Sequence, residues 1–139
     1  MSLPNINSSN QLRIRFSANG LEYVLPQRPV VVICVDGGDV AYLDAGFNQG
    51  ILPNLKRFAE TGHFSLLQGT MPSFTCPNNM SIITGVPPSI HGISGNYFLD
   101  PLTGKDIPMT GPELLRCPTI LAQCAQAGGK VVSITAKEK

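Results

Sequence analysis

The sequence predicts an α/β fold: a mainly parallel, doubly wound sheet with flanking helices, preceded by a β-hairpin. Three observations carry that expectation. Val30-Val-Val-Ile-Cys-Val35 is continuously apolar and mostly β-branched, the composition of a strand buried on both faces of a parallel sheet. Helical segments with stop signals, Leu52–Gly62, Pro77–Gly85 and Pro118–Gly129, follow one another along the chain. Extended apolar runs stand between them, at Phe64–Leu67 and Val131–Thr135, and such strand–helix alternation favours parallel pairing.

From the N-terminus, Leu12–Phe16 and Leu21–Leu25 alternate apolar and polar residues around Ser17-Ala-Asn-Gly20, an Asn-Gly hairpin expected to pack at an edge. The strand at Val30–Val35 runs into Asp36-Gly-Gly38, and in open α/β sheets ligands collect beyond the carboxyl ends of such strands. Asp36 is therefore a candidate site residue, and equally a member of a plain Asp-Gly turn. A loop carrying Tyr42, Asp44 and Phe47 leads to the helix over Leu52–Gly62, read as a crossover with Leu52, Leu55, Phe58 and Ala59 on one face. After the short strand Phe64–Leu67, a helix over Pro77–Thr84 ends at Gly85. Residues 86–112 read as turns without regular structure, and Pro118–Gly129 is a capped helix leading to the strand Val131–Thr135. Only four residues follow that strand, so the sequence reads as the N-terminal part of something longer, with a short tail after an edge strand as the alternative.

The chain has 139 residues, 10 basic and 9 acidic, for a formal net charge of +1. It is long enough to bury one core, and with no basic block it gives no reason to expect nucleic acid or an anionic membrane as a partner. Cys34, Cys76, Cys117 and Cys124 form no C-x-x-C pair, and a reducing, cytoplasmic setting is the default expectation. Neither a signal peptide nor an apolar run long enough for a bilayer is present in these residues.

The stretch with most chemistry is Met71-Pro-Ser-Phe-Thr-Cys-Pro-Asn-Asn-Met80. Thr75 stands just before a first helical turn marked by Pro77, where unpaired N–H groups and partial positive charge suit an oxyanion. Its hydroxyl reads either as an N-cap or as a nucleophile. A threonine hydroxyl is a weak nucleophile at neutral pH, and no histidine base lies at a recognisable spacing, so activation by a Lewis-acid cation is chemically reasonable. Asp36 and Thr75 would share that cation, but no D-x-x-x-H or H-x-H run completes a ligand set. His91 before Gly92 reads as a packed, hydrogen-bonded residue, and Asn96 as a turn residue or an oxyanion donor. Thr103-Gly-Lys-Asp106 lacks the glycine spacing of a P-loop.

Taken together, Val35-Asp-Gly37, Pro72-Ser-Phe-Thr-x-Pro-Asn-Asn79 and Thr84-Gly-x-x-Pro-Ser-Ile-His-Gly-Ile93 resemble the alkaline phosphatase superfamily. Gly95-Asn-Tyr-Phe98, Asp100-Pro-x-Thr-Gly104 and the closing Thr135-Ala-Lys-x-Lys139 are similar to the phosphonoacetate hydrolases within it. The resemblance runs from about Arg28 to Lys139. It implies an alkaline-phosphatase-like catalytic domain whose N-terminal part spans 29–139, after a tail and hairpin at 1–28. It further implies a metal-dependent hydrolase that splits the carbon–phosphorus bond of phosphonoacetate to acetate and phosphate at a dizinc site. Asp36 would then be a zinc ligand, Thr75 both zinc-bound and the nucleophile, and Asn96 a donor to a phosphonate oxygen. Lys137 and Lys139 would hold the substrate carboxylate; without the resemblance they read as a solvated tail. Two zinc ions and a small phosphonate are the implied partners, and a homodimer is compatible with it. The remaining ligands would come from further downstream. The alternatives are a phosphodiesterase or nucleotide pyrophosphatase of the same superfamily, or an inactive truncated fragment.

Overall fold

The structure, a computed structural model, describes residues 13–135. Its elements in chain order are β1 (Arg15–Ala18), β2 (Leu21–Val24), α1 (Val40–Asn48), α2 (Pro53–Thr61), α3 (Thr75–Thr84), α4 (Pro88–His91), β3 (Tyr97–Leu99), β4 (Asp106–Pro108) and α5 (Ile120–Gln126). Packing divides the chain into two compact units, one of residues 30–69 and one joining the residues before 30 to those from 70 onward. Among the described residues no helix is long and apolar enough to cross a membrane.

In the larger unit, β1 and β2 pair antiparallel around Asn19-Gly20, with Ala18 opposite Leu21. Both turn residues have positive φ, 53° and 84°, as a two-residue primed turn requires. Phe16 and Tyr23 face each other across the ladder with stacked rings 5.3 Å apart. The Asn19 amide reaches out of the turn and donates to the Thr84 carbonyl at 2.7 Å and the Pro118 carbonyl at 2.9 Å. One side chain thus satisfies a carbonyl at the end of α3 and another just before α5. Gly85 closes α3 with φ 72°, and a Cβ there would lie 2.9 Å from the Tyr23 hydroxyl. The buried centre of this unit is small: Ala18, Cys76, Pro77, Thr84, Val86, His91 and Ile93.

In the smaller unit, Asp39 caps α1, its Oδ1 accepting from the Ala41 N–H at 2.8 Å. Gly46 is the buried position of α1, and any side chain there would overlap Leu52 just ahead of α2. Pro53 opens α2, where its missing N–H costs nothing.

The expected parallel, doubly wound sheet is not what the structure holds. Among the described residues the two sheets are two-stranded and antiparallel, β1 with β2 and β3 with β4. Val30–Val35, Phe64–Leu67 and Val131–Thr135 carry no strand, and Val30, Val31, Val32, Ile33 and Val35 are 68% to 81% exposed. The β-branched composition favours extended backbone, but a strand exists only where a neighbour completes the ladder, and composition does not specify the neighbour. The loop expected to carry Tyr42, Asp44 and Phe47 is α1, and the turn-rich region after residue 86 contains α4 and the β3–β4 pair.

Candidate active site

The geometry around Thr75 follows from how the start of α3 satisfies its backbone donors. The cap position is Phe74, extended at φ −111° and ψ 165°, and it makes no side-chain cap bond. Thr75 is the first helical residue and not the cap. Of the first four N–H positions, Phe74 donates to the Pro72 carbonyl at 3.0 Å and Cys76 donates to Asn96 Oδ1 at 2.9 Å. Pro77 has no N–H. The Thr75 N–H and hydroxyl are left without a hydrogen-bond partner among the described residues. Thr75 is half-buried and the following Cys76 and Pro77 are buried, so the hydroxyl sits at the edge of a packed first turn.

Asn96 reaches this turn from the loop before β3. An N–H can only donate, so the amide oxygen of Asn96 must face Cys76, and its NH2 is the end left for another acceptor. The Met109 N–H donates to the Asn96 carbonyl at 2.9 Å and ties this residue to the end of β4. Two donors, Thr75 N–H and Asn96 Nδ2–H, therefore belong to one helix start where the backbone dipoles favour an anion.

Asn78, one turn into α3, holds the approach to Thr75. Its Oδ1 accepts from the Thr70 N–H at 2.9 Å and its Nδ2 donates to the Phe74 carbonyl at 2.9 Å.

One Ser–His pair looks catalytic and is not. Ser81 Oγ and His91 Nε2 are 3.0 Å apart, but the Ile93 N–H donates to His91 Nδ1 at 3.1 Å. The ring proton therefore sits on Nε2, so the imidazole has no lone pair for the serine proton. His91 is fully buried, and that burial holds its pKa below the ordinary value, against smaller opposing effects of the Pro77 and His91 backbone. It is the packed residue that the sequence suggests, joining α4 to α3.

A hollow of about 200 Å³ beside α3 is lined by Cys76, Asn79, Met80, Ile93, Met109 and Leu115, among others. Thr75 does not line it, and its apolar walls offer little to a charged phosphonate.

Asp36 lies in the smaller unit, exposed, in the turn where the Gly38 N–H donates to the Val35 carbonyl at 3.1 Å. Lys137 and Lys139 lie outside the described residues. A carboxylate and a hydroxyl suit zinc as donors but supply two of the four ligands it ordinarily takes. Among the described residues no group of three or more His, Cys, Asp or Glu side chains could hold a metal ion.

The family model described as type I phosphodiesterase / nucleotide pyrophosphatase matches residues 30–137. The chain belongs to this phosphodiesterase family. This phosphodiesterase-family chain is similar to the crystal structure of a phosphonoacetate hydrolase from Sinorhizobium meliloti 1021 in complex with phosphonoacetate, at 44% identity and a TM-score of 0.78, covering 85% of this chain and 29% of that one. A second crystal structure of that hydrolase, with phosphonoformate, gives 45% identity over the same shares. An uncharacterized pyrophosphatase/phosphodiesterase of Schizosaccharomyces pombe is 43% identical over 67% of this chain and 19% of its own length. Ectonucleotide pyrophosphatase/phosphodiesterase family member 3 of Rattus norvegicus is 31% identical over 63% of this chain and 10% of its own length. The phosphodiesterase-family chain thus spans less than a third of each of these relatives and carries part of an alkaline-phosphatase-like α/β core with flanking helices.

Proposed function

We propose that the chain is the N-terminal part, over residues 29–139, of a metal-dependent phosphonoacetate hydrolase with Thr75 as its nucleophile. The observation that carries this reading is the start of α3: a hydroxyl without a hydrogen-bond partner among the described residues, on the residue whose N–H also lacks one, beside the Asn96 amide. The similarity to a phosphonoacetate hydrolase supports the choice of substrate.

In this reading Thr75 Oγ, its proton passing to solvent, attacks phosphorus and the carbon–phosphorus bond breaks, its electron pair moving to the carbon beside the substrate carboxylate. That carboxylate delocalises the charge until a proton from solvent completes acetate. Lys137 and Lys139 hold the carboxylate and offset the developing charge. The Thr75 N–H and Asn96 Nδ2–H donate to phosphonate oxygens as they gain charge. Water then releases phosphate from the phospho-threonine. Asp36 and Thr75 are proposed as two donors to zinc, two ions in the complete enzyme, with the other donors supplied from outside the described residues. Bound zinc would lower the hydroxyl pKa and neutralise phosphonate charge.

Thr75→Ala in the full-length protein should abolish turnover of phosphonoacetate while zinc content stays near that of the parent. Near-normal turnover would refute the nucleophile. The family model and the curated relatives favour a second reading, a phosphodiesterase or nucleotide pyrophosphatase with the same nucleophile. A substrate comparison separates the two: release of phosphate from phosphonoacetate supports the first, and cleavage of bis(nitrophenyl) phosphate alone supports the second.

A further inference from the structure

We infer that Asn78 is a positioning residue for the reaction at Thr75, acting through the main chain on either side of it. The first turn of α3 has no side-chain cap from its own cap residue. What fixes the chain entering it is the Asn78 amide, with both ends in use. Oδ1 accepts from the Thr70 N–H and Nδ2 donates to the Phe74 carbonyl, each at 2.9 Å. The Asn78 backbone N–H donates to that same carbonyl at 3.2 Å, so Phe74 C=O is held by two donors of a single residue. The peptide carrying this carbonyl also carries the Thr75 N–H. Its orientation therefore sets where the Thr75 N–H points and the torsion from which the hydroxyl projects. Asn96 fixes the peptide on the other side, at Cys76. Asn78 and Asn96 together hold both peptide groups that flank the Thr75 α-carbon.

The division of labour differs between the two. Asn96 has its NH2 end left for a ligand, whereas Asn78 has both ends of its amide bonded to backbone. Loss of Asn78 should then leave substrate binding largely intact and slow the chemical step, because an attacking oxygen displaced by about 1 Å costs on the order of 100-fold in rate.

The inference rests on Thr75 being the nucleophile, and the test separates failure of the two. Asn78→Ala removes both bonds; Asn78→Asp, nearly the same shape, keeps the bond to Thr70 and sets an oxygen against the Phe74 carbonyl. Both are made in the full-length protein and assayed with phosphonoacetate and bis(nitrophenyl) phosphate, alongside Thr75→Ala. The expected result is a cooperative thermal transition for each variant, a kcat reduced roughly 10- to 100-fold, a KM within about threefold of the parent, and proportionally slower labelling of Thr75 in rapid acid quench. A folded variant with kcat within threefold of the parent, or a loss carried entirely by KM, overturns the role of Asn78. Should Asn78→Ala not fold, Asn78→Asp decides alone. Full activity in Thr75→Ala overturns the functional reading and the inference with it.

Discussion

Asn96→Asp should separate two roles that one amide performs at the start of α3. Asn96 Oδ1 accepts from the Cys76 N–H at 2.9 Å, which is a stabilising contact, while Nδ2 is the end proposed to donate to a phosphonate oxygen. Aspartate keeps an oxygen facing Cys76 and adds a carboxylate near the positive end of the helix, an effect of about 0.3–1 kcal/mol in favour of the fold. It removes the donor. Loss of one preorganised donor to a developing oxyanion costs roughly 10²- to 10³-fold in kcat, and the new negative charge beside a phosphonate adds to that loss. Asn96→Ala removes both functions, and the lost cap should cost about 1 kcal/mol of stability as well. The assay is kcat for phosphonoacetate together with denaturant unfolding on parent, Asn96→Asp and Asn96→Ala. The expected pattern is near-parental stability with low turnover for the aspartate, and both lowered for the alanine. An aspartate variant that turns over within threefold of the parent would refute the donor role; an alanine variant as stable as the parent would refute the cap.

Gly85→Ala places a Cβ at φ 72° and 2.9 Å from the Tyr23 hydroxyl, and should destabilise by roughly 1–3 kcal/mol by denaturant unfolding. Gly128→Ala, at φ 91° with open space around it, should cost less, and equal costs would remove the close contact as a cause. His91 has a folded pKa below its ordinary value of 6.5, so both states are neutral above that pH, and below it the unfolded chain takes a proton that the folded one resists. Stability should fall as pH drops from 6.5, by at most about 1.4 kcal/mol per pH unit for one proton, and His91→Gln should flatten that slope in unfolding measured from pH 7.5 to 5. Finally, the 139-residue chain by itself should hold zinc weakly, since its described residues include no cluster of three or more His, Cys, Asp or Glu; metal analysis after gel filtration returning one zinc per chain would contradict this.

Local signals were legible where the interactions they encode are local. Asn19-Gly20 sets its own turn, Gly85 its own left-handed cap, and Pro53 its own helix start, and each element stands within two or three residues of where the sequence places it. The apolar run Val30–Val35 signals extended backbone and not a strand, because a strand is a relation between two segments and the run shows only one. Helix α1 is masked in the sequence by its glycine and aromatic residues, although Asp39 ahead of Val40-Ala-Tyr-Leu is a recognisable cap signal. Around Thr75 the helix start was legible from Pro77. The bond from Cys76 to Asn96 spans 20 residues and has no sequence signature, and Asn78 gave only the faint signal of a polar amide four residues after an uncapped helix start.

The Asn19 stitch also orders events in time. Its two acceptors lie 65 and 99 residues downstream, at Thr84 and Pro118. At a translation rate of about 5–20 residues per second, Asn19 is added to the chain roughly 5–20 s before Pro118. The Thr84 carbonyl is made 34 residues before the Pro118 carbonyl, so the bond to the end of α3 can form before the bond to the segment ahead of α5. Among the described elements the hairpin is made first, and its stitch is complete only once Pro118 has been made.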